Sequence, residues 1–138
     1  MIYIFLISGL FIGWSMGAND TGNIFGAAVS TRMIRFRQAA LIASVFYFLG
    51  AVLEGSGPSS TLGRLGSVDA LGGAFTVAMS AALAILVIVL LGIPVSVSQT
   101  IVGALIVWNY FSGRLTNFGS LLTIASSWIA AFVVAAGI

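Results

Sequence analysis

The sequence runs to 138 residues, 60% of them hydrophobic and only 6% charged, with a formal charge of +2. An ordinary soluble domain carries about 25% charged residues, so three acidic and five basic side chains are too few to solvate a water-facing surface, and the composition is that of an all-α, polytopic membrane protein. The lack of cysteine and histidine excludes disulfide, thiolate-metal and histidine-relay chemistry, and without those groups or a second buried carboxylate no acid/base pair for an enzyme is in sight. So small a net charge, with no Lys/Arg stripe, also excludes a nucleic-acid partner.

Residues 2–30 read as a first membrane segment. No basic stretch precedes it and no clean cleavage site ends it, so it is not a signal peptide. As one helix it would be about 40 Å long, more than the hydrocarbon needs, and GANDTGN at Gly17 to Asn23 predicts a break near mid-membrane. Arg32, Arg35 and Arg37 follow in a short loop; the positive-inside rule makes that loop cytoplasmic and the N-terminus external. Residues 38–56 return outward, and the turn chemistry of 57–64, GPSSTLGR, predicts an external loop. Residues 71–111 read as a helical hairpin of the re-entrant type with its tip at GIPVSVSQ, because Gly92 and Pro94 break the helix and the apolar stretch from Ile101 is too short to cross alone. After a loop at 112–117, residues 119–138 form a last apolar helix. It stops without a polar anchor, which reads as a fragment or one half of a larger assembly.

Two polar interruptions carry the chemistry. A carboxylate at mid-bilayer costs ~2.5–3.5 kcal/mol on insertion scales, so Asp20 persists only beside protein, water or a cation. Asn19 and Asn23 offer carboxamide oxygens and Thr21 a hydroxyl, while Gly17 and Gly22 would let the backbone unwind and turn its carbonyls toward an ion such as Na⁺. The bland alternative is a kinked helix with Asp20 protonated or paired. In the second interruption Ser96 or Ser98 is a good N-cap for a half-helix beginning near Gln99, whose N-terminus presents N–H donors and a partial positive charge to an anion. Ser96, Ser98, Gln99 and Thr100 add side-chain donors; alternatively they merely cap a proline kink. Together the two interruptions match the pattern in which discontinuous helices of transporters meet at the midplane.

Gly17-Ala18-Asn19-Asp20-Thr21-Gly22-Asn23 followed by Gly26-Ala27-Ala28-Val29, and Gly92-Ile93-Pro94-Val95-Ser96-Val97-Ser98-Gln99-Thr100-Ile101-Val102-Gly103-Ala104, resemble the two signatures of the inorganic phosphate transporter (PiT) family. The resemblance covers essentially the whole chain, as the family's N-terminal repeat. It implies one half of an inverted-repeat transporter that moves phosphate with Na⁺ or H⁺, the second, inverted copy coming from a missing C-terminal half, another chain or a homo-oligomer. Topology agrees: a chain that enters, returns, dips as a hairpin and enters again ends in the cytoplasm, where a following repeat would run inverted.

On this reading the chain is a multi-pass protein of the cell membrane, residues 1–138 forming a single repeat with spans at about 2–30, 38–56, 71–111 and 119–138. Phosphate meets Asp20, Thr21, Ser96, Ser98, Gln99 and Thr100; Na⁺ meets Asn19, Asp20, Asn23, Ser98 and Thr100. No cofactor is expected beyond the coupling ion. The alternatives are H⁺ coupling through Asp20, another oxyanion such as sulfate, or a non-transporting half-length subunit. Glu54 reads as an interfacial residue, a second cation ligand or a partner for Arg64 or Arg114. Trp14, Trp108 and Trp128 belong to packing or aromatic belts, and Gly9, Gly13 and Gly17, four residues apart, to close helix packing.

Overall fold

Helix ends in this chain are set by residues that cannot carry the hydrogen-bond ladder onward. The computed structural model describes residues 2–66, 68 and 71–137, and among these it contains helices and no strand. Among the described residues six helices follow one another: α1 (Ile2–Ser30), α2 (Phe36–Glu54), α3 (Ser56–Leu65), α4 (Leu71–Leu90), α5 (Val97–Phe111) and α6 (Phe118–Ala136). By length and composition α2, α4 and α6 are long and apolar enough to cross a membrane. Their outer faces are dressed for lipid, with Leu41, Leu90 and Phe132 largely exposed. The fold is that of an all-α membrane protein.

The expected break in the first helix is absent: α1 runs as 29 continuous residues through GANDTGN. Glycine costs about 1 kcal/mol in a helix and Asn, Asp or Thr less, but each keeps its N–H. Unwinding would expose several peptide groups where no water can satisfy them, at several kcal/mol each. The ladder therefore survives a run of poor helix formers. The helix ends instead with Arg32 left-handed at φ 61°, the Met33 N–H donating to the Ala28 carbonyl at 2.9 Å and the Arg32 N–H to Val29 at 3.1 Å. Gln38 then accepts from the Arg35 N–H at 3.1 Å and opens α2.

Residues 57–64, expected as an external loop, are helical and belong to α3. Pro58 lies in the first turn, where its missing N–H has no partner to lose, and it separates α3 from α2 at Gly55. The hydroxyls that suggested a loop are absorbed by the helix itself: Ser59 donates to the Gly55 carbonyl at 2.8 Å, Ser60 to Gly57 at 2.8 Å and Thr61 to Gly57 at 3.1 Å. Hydroxyls satisfied in this way need no water.

The hairpin is formed by α4 and α5. Gly92, at φ 73°, closes α4 with the Ile93 N–H on Ile88 at 3.2 Å and its own N–H on Val89 at 2.9 Å, and Pro94 follows where no helix can continue. Beyond it Ser96 caps α5, its Oγ accepting from the Gln99 N–H at 3.4 Å. α4 packs along α1. Phe5 meets Phe75 edge to face at 6.0 Å and Asn19 meets Val95, so the two helices run in the same direction and the hairpin tip lies level with Asn19. A further stretch of α1 from Asn19 to Ser30, roughly 16 Å of helix, extends past that tip toward the arginine loop. The tip therefore lies that far short of the arginine loop along α1.

The main apolar cluster joins the other elements. Leu65 of α3, Val77 of α4, Val102 and Leu105 of α5 and Ile124 of α6 are buried together, with Trp108 and Trp128 against them. In lipid such contacts act by packing and dispersion rather than by escape from water. At one end of this cluster Asn109 is fully buried, its Nδ2 donating to Thr116 Oγ1 at 3.1 Å, and Gly66 lies directly against its carboxamide where a Cβ would collide. The Asn117 N–H donates to the Leu65 carbonyl at 3.2 Å and its side chain caps α6 at Ser120. The glycine stripe of α1 behaves differently from its expected packing role. A Cβ at Gly9, Gly13 or Gly17 would meet nothing within 4 Å among the described residues. Residue 138, the expected end of the last span, lies outside those residues.

Candidate functional site

The two polar interruptions meet. Asn19, 4% exposed, donates from Nδ2 to the Val95 carbonyl at 2.9 Å and accepts on Oδ1 from the Val95 N–H at 3.2 Å, across 76 residues of sequence. Its Nδ2 also donates to Asp20 Oδ1 at 2.8 Å. The carboxylate of Asp20, half-buried, is thereby placed beside the hairpin tip. From α2, Tyr47 lies near the same carboxylate.

At the tip, the N-terminus of α5 offers the anion-binding elements. Ser96 is the N-cap; Ser98 and Gln99 are exposed and Thr100 is half-buried, its Oγ1 bonded to the Ser96 carbonyl at 3.0 Å. On α1, Asn23 stands one turn beyond Asn19 on the same face and is exposed. Thr21 points elsewhere. It lies about 200° around the helix from Asn19, lining a groove of ≈ 990 Å³ between α1 and α2 with Gly17, Ala43 and Tyr47. So the structure gathers Asn19, Asp20 and the segment from Val95 onward, while Thr21 faces α2. The carbonyls of GANDTGN stay in the α1 ladder and are not turned toward a ligand.

Tyr47 was not anticipated from the sequence, although a phenol in the middle of FRQAALIASVFYFLGAVLE is a readable signal. Glu54, expected near the outer end of its segment, sits where α2 gives way to α3 and lines a second groove with Ile24, Tyr47 and Pro58.

The sequence pattern of the phosphate transporter family matches residues 16–138, which include both interruptions. The chain belongs to this family. A protein of Pyrococcus abyssi that bears the name of a phosphate permease is 30% identical over 142 residues, covering 95% of this chain and 35% of its own. One of Methanocaldococcus jannaschii, named likewise, is 29% identical over 134 residues, with 96% and 43% covered. The chloroplastic inorganic phosphate transporter 2-1 of Arabidopsis thaliana is 30% identical over 148 residues, with 92% and 24% covered. The chain spans about a third of the length of the first curated relatives it matches. No solved structure matches it.

Proposed function

We propose that this chain is one repeat of a cation-coupled phosphate transporter of the cell membrane, its N-terminus outside, whose site lies between GANDTGN and the N-terminus of α5. The observation that carries this reading is the pair of hydrogen bonds between Asn19 and Val95. They bring a mid-helix carboxylate to the start of a half-helix, so a cation and an anion find opposite charge within one small region. Asp20 and Asn23 supply oxygens to Na⁺ from α1, with the hydroxyls of Ser98 and Thr100 from α5. The Ser98 N–H group and the side chains of Ser98 and Gln99 hold phosphate. Because the carbonyls of α1 remain in its ladder, cation ligands come from side chains. Each bound charge offsets the other where the dielectric is low, so cation binding raises anion affinity and the reverse, which is the coupling that symport requires.

A second, inverted copy of this repeat, in the same chain or another, completes the site, and alternating access follows as one copy rocks against the other. Equilibrium binding of phosphate to the purified protein tests this, measured with and without Na⁺. Binding that requires Na⁺ and is lost in Asp20→Asn supports it. Binding indifferent to both removes Asp20 and Na⁺ from the site.

A further inference from the structure

The break between α4 and α5 leaves Val95 with two backbone groups and no helix to receive them. It lies between Pro94 and the cap residue Ser96, whose carbonyl accepts the first α5 bond from the Thr100 N–H at 3.1 Å. At membrane depth an unpaired N–H or C=O costs several kcal/mol. The carboxamide of Asn19 presents one donor and one acceptor side by side, the complement of a single residue's N–H and C=O, and it uses both on Val95. Its remaining N–H goes to Asp20. With the group almost fully buried and its donors committed, its chemistry is spent on geometry.

We infer that Asn19 is a positioning residue: it acts through Val95 to clamp the hairpin tip to α1, holding the N-terminus of α5 in register with Asp20. This deepens the transport reading above and depends on it only for the functional readout, because the clamp itself is measurable without substrate. Other residues fail for distinct reasons. Alanine removes both bonds. Glutamine carries the amide one methylene too far. An ionised aspartate still accepts from the Val95 N–H but sets a negative oxygen against the Val95 carbonyl. Protonated, the same aspartate regains a donor. The titratable groups near it are Asp20 on α1 and Tyr47 on α2; α4 brings none, and the one in α5, Tyr110, lies at its far end.

The chain has no cysteine, so nitroxide labels at Leu10→Cys and Ile93→Cys, both exposed, report the distance from α1 to the tip by pulsed electron resonance in lipid nanodiscs. With Asn19 intact, one narrow distribution is expected. Asn19→Ala loses that single peak. Asn19→Leu, which keeps the bulk without either hydrogen bond, broadens it as well, with or without Na⁺. A residue that served only as a direct Na⁺ ligand would leave the Na⁺-free distribution unchanged when substituted. An unchanged distribution in Asn19→Ala or Asn19→Leu overturns the clamp; where the alanine variant does not fold, the leucine variant decides alone. In uptake, Asn19→Ala raises the phosphate KM roughly tenfold, the loss expected of two neutral hydrogen bonds, and an unchanged KM with a broadened tip overturns the link to the site. A narrow distribution in a protein that moves no phosphate counts against the transport reading and for the clamp.

Discussion

GANDTGN and GIPVSVSQT are both polar interruptions of apolar sequence, and they fold in opposite ways. The first stays helical within α1; the second separates α4 from α5. The difference is one of backbone chemistry rather than side-chain polarity. Every residue of GANDTGN retains an N–H and tolerates right-handed helix, whereas Pro94 has no N–H and Gly92 is left-handed at φ 73°. A polar side chain in a membrane helix therefore marks a site, and a missing donor marks a break. The two regions then complement each other, the intact helix supplying Asn19 to the backbone that the broken one leaves open.

Moving the missing donor from one region to the other is the most forceful way to break this comparison. Ala18→Pro puts a ring where α1 has an unbroken ladder and is expected to destabilise the protein by about 3 kcal/mol or more, read as a large loss of thermal stability in detergent. The converse, Pro94→Ala, restores a donor. It is expected to let α4 extend past Leu90, with amide exchange at 91–95 slowing and phosphate affinity falling as Val95 leaves Asn19.

Away from the site, Gly66→Ala drives a methyl into the Asn109 carboxamide and is expected to cost roughly 2 kcal/mol, in the range of overpacked cores. Equilibrium unfolding measures it. Gly92→Ala strains one left-handed position and costs about 1 kcal/mol. Arg32 occupies the same conformation without being glycine, at φ 61°. Arg32→Gly is accordingly expected to gain something under 1 kcal/mol after the added freedom of the unfolded chain is subtracted. The smallest effect thus has the opposite sign, and a loss there would show that the arginine side chain outweighs its backbone strain.

What the sequence disclosed follows the same division. The hairpin tip and the Ser96 cap were readable because proline, a left-handed glycine and a serine cap act within a few residues. The helix α3 was not, because Ser59, Ser60 and Thr61 look like loop formers until their hydroxyls are seen bonded back to Gly55 and Gly57. The continuity of α1 was missed because poor helix formers suggest unwinding in water, while a bilayer penalises it. Asp20 stood out in the sequence from its cost alone. The bonding of Asn19 to Val95 and the nearness of Tyr47 to Asp20 did not, since each depends on a partner brought close only by the fold, as does the fit of Asn109 against Gly66.

The central claim is that Asp20 and the N-terminus of α5 form one cation-coupled phosphate site. Its most direct test is uptake of radiolabelled phosphate into proteoliposomes holding the protein with its partner repeat, under an inward Na⁺ gradient, a pH gradient or neither, compared with Asp20→Asn. Uptake driven by Na⁺ and abolished in Asp20→Asn is the expected result. Uptake that persists in Asp20→Asn, or that no cation gradient alters, would contradict it.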